Sequence, residues 1–352
     1  MTALRIAFFG LPLAACLLLQ DGHDLVAAVL PPVEGPGRRR LRARLAPTSP
    51  LVDLLSGDPA PDLEALLARV RPDLIVSWFW TRRFTAGQLG QARLGGIGAH
   101  PSLLPRHRGP NPYFAAIDAG DRVTGVTIHR LTERYDEGAI LAQESLLVGE
   151  SDSWQLARRL DRPSLRQLRA TVARMARGEP LVETPQDEAA ATWAPDPQRE
   201  PSGTAGEPGT TARPGALLRV DWTWSTERIL RRIRALAPVP GLALELSGER
   251  FFVLAAEPAE DYPRALRPGE GAVFGTPPDV VLRTGDGAVR VLLAQLASPG
   301  ESPSDATEAF DDGAALVCGE AASGGAGSPE TSPDETGAIV TGQELAARVA
   351  RR

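Results

Sequence analysis

With 352 residues, 43% of them hydrophobic, the chain is long enough for two domains with buried cores, and its two cysteines and four histidines form no disulfide framework or metal-ligand pattern. The formal charge is −6, but residues 300–336 hold nine carboxylates and no base, so the remainder carries +3 and a nucleic-acid partner is not excluded. All 38 basic residues are arginine and Asn111 is the sole asparagine, a bias that points to GC-rich coding.

In chain order, "RIAFFG" and "DLVAAVL" are compact apolar runs separated by the helix-like "LPLAACLLLQDG", which predicts strand, helix, strand. Arg5 followed by "IAFFGLPLAAC" also looks like a short secretory signal with a lipoprotein-type box. The apolar pattern continues without the polar spacer of a cleaved signal, so the strand reading and a reducing cytoplasmic location are expected. No run reaches the roughly 18–20 apolar residues of a membrane span. "GRRRLRAR" (37–44) reads as a loop carrying Arg38, Arg39, Arg40, Arg42 and Arg44. "DLEALLARVRPDLIVSWFW" has helical spacing until Pro72 and a β-rich run after it, and "GGIGAH" and "TGVTIHRL" supply further strands. Residues 1–190 therefore read as an α/β domain with a mainly parallel, Rossmann-like sheet, in which ligands bind beyond the carboxyl ends of strands. A helix is expected around 153–177, and a Pro/Gly-rich linker over 191–215.

A second domain is expected over 216–298. "STERILRRIRAL" predicts a helix with Ser225 or Thr226 as its cap and Ile229, Ile233 and Leu236 on one face. "LALEL", "RFFVLAA", "GAVF", "DVVLRTG" and "AVRVLLAQL" predict the short strands of a small β-barrel of OB-like type. An acidic disordered segment (299–336) and a short tail (337–352) complete the chain, which is expected to be a monomer.

The chemistry concentrates in "GIGAHPSLLPRHRG". Pro101 and Pro105 bracket a segment that cannot continue as helix or central strand, so His100 stands at a strand end, placed either to meet a ligand or to cap the loop. Asp136 lies 36 residues on, in a Tyr-Asp-Glu-Gly stretch that by itself reads as a turn.

Together, "HPSLLPRHRG", "GVTIH" and "DEGAIL" resemble the signature of the folate-dependent formyltransferases, whose members act on methionyl-tRNA and on amino sugars. "LRIAFFGLP" is similar to the family's opening strand and turn; "VDW", "IRALAPVPG" and "LRTGDGAVRVL" are similar to the barrel domain that some members append. The resemblance implies a 10-formyltetrahydrofolate co-substrate, no metal, a primary amine acceptor, and a catalytic Asn-x-His plus Asp set, of which His100 and Asp136 match two. Gly98 stands where the asparagine is expected, with Asn111 as a candidate substitute or a mere turn cap. The folate is expected along Trp78, Trp80, Ser102, Leu103, Leu104, Pro105 and Asp136, with core packing as the other reading of the two tryptophans. The five arginines at 38–44 match a basic insertion that meets the tRNA acceptor stem, which favours initiator methionyl-tRNA as partner. The alternatives are a small-amine formyltransferase or, because of Gly98, a non-catalytic folate- or tRNA-binding relative.

Overall fold

The computed structural model describes residues 3–33, 35–56, 60–198, 216–297 and 337–351. The acidic 299–336 segment and most of the expected linker lie outside these residues.

The N-terminal lobe is built on a seven-stranded sheet of order β3-β2-β1-β4-β5-β6-β7. Its strands are β1 (Arg5–Gly10), β2 (Asp24–Leu30), β3 (Leu51–Asp53), β4 (Leu74–Trp78), β5 (Gly96–His100), β6 (Val123–Arg130) and β7 (Ile140–Leu147). The first five are parallel, and β6 and β7 run antiparallel at the edge. Helices on both faces explain why β1 and β4 read as continuous apolar runs. Gly10 closes β1 with φ +130°, and a Cβ there would fall 1.8 Å from the Trp78 carbonyl oxygen, so only glycine fits.

Local signals set most helix ends. In α1 (Pro12–Gln20) proline takes the first position; in α3 (Leu63–Val70) the Asp62 side chain accepts the Ala65 N–H at 3.1 Å. The short α4 (Ala86–Gly90) and the long α6 (Ser153–Ala176) both begin with reciprocal capping boxes, Thr85 with Gln88 and Asp152 with Gln155. The "GRRRLRAR" stretch is not a loop but helix α2 (Arg38–Arg44), with Leu41 buried against α1. Arginine is a good helix former, and the single leucine of these seven residues is the one that is buried.

The C-terminal lobe is an antiparallel half-barrel with strands β8 (Leu242–Leu246), β9 (Glu249–Pro258), β10 (Gly271–Phe274), β11 (Asp279–Arg283) and β12 (Ala288–Leu296) in the order β10-β11-β12-β9-β8. Helix α7 (Thr226–Leu236) is capped by Ser225, which accepts the Arg228 N–H at 3.3 Å, and buries Ile229, Ile233 and Leu236 as its periodicity predicts. The tail forms β13 (Ile339–Thr341), which pairs with the second half of β12, and α8 (Gly342–Val349), which buries Leu345, Ala346 and Val349. One apolar cluster joins the lobes: Tyr113, Phe114 and Ile117 of α5 (Pro112–Ala119) meet Ile229, Ile233 and Leu236 of α7.

Candidate active site

Strand β5 lies between β4 and β6, and the register sets Gly98 opposite Ser77 on one side and His129 on the other; His100 is opposite Thr127. The chain then leaves the sheet in a loop that β6 and β7 hold down. Thr127 Oγ1 donates to Ser102 O (2.7 Å) and accepts the Leu104 N–H (3.1 Å), while Gln143 Nε2 donates to Thr127 Oγ1 and to Leu104 O (2.9 and 2.8 Å). Residues 192–194, expected as linker, are part of this anchorage. Thr192 Oγ1 accepts the His107 N–H at 2.8 Å, and the Arg108 and Asn111 N–H groups donate to Thr192 O and Ala194 O.

His100 is 6% exposed, and its Nε2–H donates to His107 O at 2.7 Å. Its Nδ1 faces Asp136 Oδ2 at 3.5 Å; the same oxygen accepts the Gly109 N–H at 2.9 Å. The other Asp136 oxygen, Oδ1, lies 3.6 Å from Nε2 of His129, which is 4% exposed and whose Nδ1–H donates to Arg130 O at 2.9 Å. The two rings stand edge to face with centroids 6.5 Å apart. Asp136 has φ +57°, a left-handed conformation that aspartate tolerates better than bulky residues, and Gln186 fixes it by donating to Asp136 O and Gly138 O at 2.6 and 2.8 Å. Arg108 holds Gln186 Oε1 and Glu188 in turn, and the Glu188 hydrogen bond raises its guanidinium above the ordinary value.

Burial pushes the His129 imidazole below its usual value, with Asp136 opposing. His107 is likewise lowered by burial, although its Nε2 lies 2.7 Å from Asp121. For Asp121 itself, burial acts to raise the carboxyl, and hydrogen bonds from Arg106 and His107 outweigh it and hold it low.

The structure brings His100, Asp136 and the Gly98 position together at the end of β5, and separates other expected site residues from them. Asn111 is the N-cap of α5, its Oδ1 accepting the Phe114 N–H at 3.0 Å, so its side chain serves the helix and not the gap at Gly98. Trp78 is core: its indole packs beneath α6 and donates to Ser164 Oγ at 3.0 Å. Trp80 lies past the strand against Phe9, with Arg82 over its ring and its Nε1 buried without a partner. Ser102 is fully buried with its hydroxyl on Arg106 O, and Leu104 is buried, so both build the loop, while Leu103 and Pro105 are partly exposed. On α2, Arg38 is ion-paired with buried Asp53 and bound to Pro31 O and Val33 O, so it is structural; Arg42 also pairs with Asp53, and Arg39, Arg40 and Arg44 are exposed.

Sequence reading missed His129, Thr127, Gln143, Gln186 and Arg108. The alternation of "GVTIH" is the one signal that points to Thr127 and His129, which share a strand face. It also missed a groove of about 550 Å³ beside α6 and β7 lined by Arg158, Arg159, Arg162 and Arg166.

The chain belongs to the formyl transferase family. Residues 34–168 match the model described as formyl transferase, and residues 216–311 match its C-terminal domain. Relatives include methionyl-tRNA formyltransferases: that of Acidiphilium cryptum is 33% identical over 307 residues (84% of this chain, 92% of the relative), and that of Phenylobacterium zucineum 33% over 331 residues (90% and 99%). Among solved structures, HypX from Aquifex aeolicus in complex with tetrahydrofolic acid has a TM-score of 0.57 at 22% identity, covering 84% of this chain, which spans 45% of that longer protein. An N-formyltransferase from Helicobacter canadensis, in complex with folinic acid and dTDP-3-aminofucose, has a TM-score of 0.57 at 12% identity (82% of this chain, 98% of that one), and both show the same fold.

Proposed function

We propose that this chain transfers the formyl group of 10-formyltetrahydrofolate to the α-amino group of methionyl-tRNA in the cytoplasm. The observation that carries the reading is the imidazole and carboxylate of His100 and Asp136 at the carboxyl end of β5, in a chain one-third identical to methionyl-tRNA formyltransferases over nearly their whole length. The acceptor nitrogen attacks the formyl carbon, the bond from that carbon to N10 breaks, and the amine's proton must leave while N10 gains one. His100 and Asp136 are the groups that accept and return that proton, a contribution worth typically 10²–10⁴-fold in rate.

The exposed Arg39, Arg40 and Arg44, with Arg42 beside them, present positive charge on one short helix and suit a phosphate backbone. Among the described residues, no helix is long and apolar enough to cross a membrane. The test supplies 10-formyltetrahydrofolate with methionyl-tRNA, with an amino sugar and with free methionine, and follows tetrahydrofolate release. Formyl-methionyl-tRNA is the expected product. Formylation of the amino sugar alone would replace the tRNA reading by a small-amine one.

A further inference from the structure

Gly98 and His129 are cross-strand partners and compete for one space. A Cβ built on Gly98 lies 3.3 Å from His129 Nε2 and 3.6 Å from its Cε1, with Leu131 Cδ2 at 2.9 Å. The imidazole and this leucine thus crowd the direction in which any side chain at 98 would leave the backbone.

A main-chain carbonyl only accepts, so His100 Nε2, on His107 O, and His129 Nδ1, on Arg130 O, both carry hydrogens. The two remaining ring nitrogens, His100 Nδ1 and His129 Nε2, face separate oxygens of the Asp136 carboxylate at 3.5 and 3.6 Å. With both rings neutral and the carboxylate ionised, two lone pairs would point at an anion. The arrangement is attractive only when the trio holds one further proton. Besides these three groups, the neighbours are the Gly109 N–H on Asp136; Arg108, neutralised by Glu188 with Glu137 at 3.8 Å; and His107 with Asp121 and Arg106 on the loop side. Leu131 closes the Gly98 side with carbon.

We propose that His129 is a positioning residue of formyl transfer, standing in the room opened by Gly98 and sharing one proton with His100 through Asp136. The inference rests on the formyl-transfer reading above. In the step it describes, the acceptor nitrogen bonds to the formyl carbon, the carbon–N10 bond breaks, His100 and Asp136 deliver a proton to N10, and the proton released by the amine returns to them, with His129 holding Asp136 in place. Nothing is oxidised or reduced, and the products are the formamide and tetrahydrofolate.

The test has one arm that needs no activity. The chain has four histidines, so imidazole NMR signals can be assigned by single substitutions. Asp136→Asn is expected to move the His129 titration to lower pH, because it removes the carboxylate that opposes the effect of burial on this imidazole. A His129 titration identical in parent and Asp136→Asn overturns the proposal. If the parent releases no tetrahydrofolate with any acceptor, the functional reading fails while this result stands by itself.

In the kinetic arm, His129→Leu is expected to lower turnover at least ~10-fold and to remove one limb of the pH–rate profile with the donor KM unchanged. His129→Gln, which keeps a polar side chain of similar reach, is expected to fold and to lose the same limb. Gly98→Asn is expected to lower turnover, because the entering side chain meets Leu131 and His129. Parental turnover and pH profile in His129→Leu or His129→Gln, or a Gly98→Asn variant faster than the parent, contradicts it.

Discussion

Asp161 shows how one residue of this fold is linked to pH. It lies on α6 near the buried Tyr113 hydroxyl, which has no hydrogen-bond partner, and burial raises the Asp161 carboxyl to about 6 against a partial offset from Arg158. The unfolded chain gives up that proton near pH ~3.9. Between roughly pH 4 and 6 the native state therefore binds a proton that the unfolded state has lost, so stability falls as pH rises through this window and stays lower above it. Asp161→Asn removes the linkage. The variant is expected to exceed the parent by about 1–3 kcal/mol at pH 7 and to match it near pH 4, read by urea unfolding at both pH values. A difference that is the same at both pH values would contradict this. Residues of this kind were not legible in the sequence, because their behaviour depends on neighbours brought from elsewhere in the chain. His100 and Asp136 were legible through their motifs. His129 was visible only as a member of an alternating strand, since its meaning comes from the β5–β6 register that sets it against Gly98.

At the scale of an element, α2 separates arginines that build the fold from arginines that face solvent. Arg38 and Arg42 reach Asp53, whose side chain is 3% exposed, and tie α2 to the end of β3. Arg39, Arg40 and Arg44 are exposed and have no such task among the described residues. If α2 meets the tRNA backbone, the logarithm of the binding constant should fall linearly with the logarithm of salt concentration. The Arg39→Ala, Arg40→Ala, Arg44→Ala variant should flatten that slope by about 0.7–0.9 for each phosphate that is no longer neutralised. A slope unchanged in the triple variant removes α2 from the interface. The run of charge was plain in the sequence, whereas its division between structure and surface was not, because Asp53 is a partner 11 to 15 residues away at the end of β3. The strand and helix of the tail were not legible for a related reason. Strand β13 has three residues, too few to show alternation, and it is stabilised by β12 more than forty residues earlier.

Over the whole molecule, the two lobes are joined by a shared apolar cluster and by a partly buried charge clamp. Asp118, on α5, accepts from Arg228 at 2.6 and 3.0 Å and from Arg232 at the same two distances, both on α7. Burial acts to raise the Asp118 carboxyl, and hydrogen bonds from Arg232 and Arg228 outweigh it and hold it low. Removing one partner leaves guanidinium groups without their counter-ion, Arg232 at only 5% side-chain exposure, so Asp118→Ala is expected to cost roughly 3–5 kcal/mol. Both lobes should lose stability together in one calorimetric transition, and two separated transitions in the parent would contradict a joined core. The loop that carries His107–Asn111 is in turn anchored by residues 192–194, so segments far apart in the sequence meet beside His100. On the proposed function, this scaffold holds His100 and Asp136 for proton transfer during formylation. The most direct measurement is single-turnover formyl transfer from saturating 10-formyltetrahydrofolate to methionyl-tRNA by the parent and by Asp136→Asn. Tetrahydrofolate release by the parent and a fall of at least ~10²-fold in the variant with the fold intact are expected; an Asp136→Asn protein as fast as the parent would contradict proton transfer by this pair.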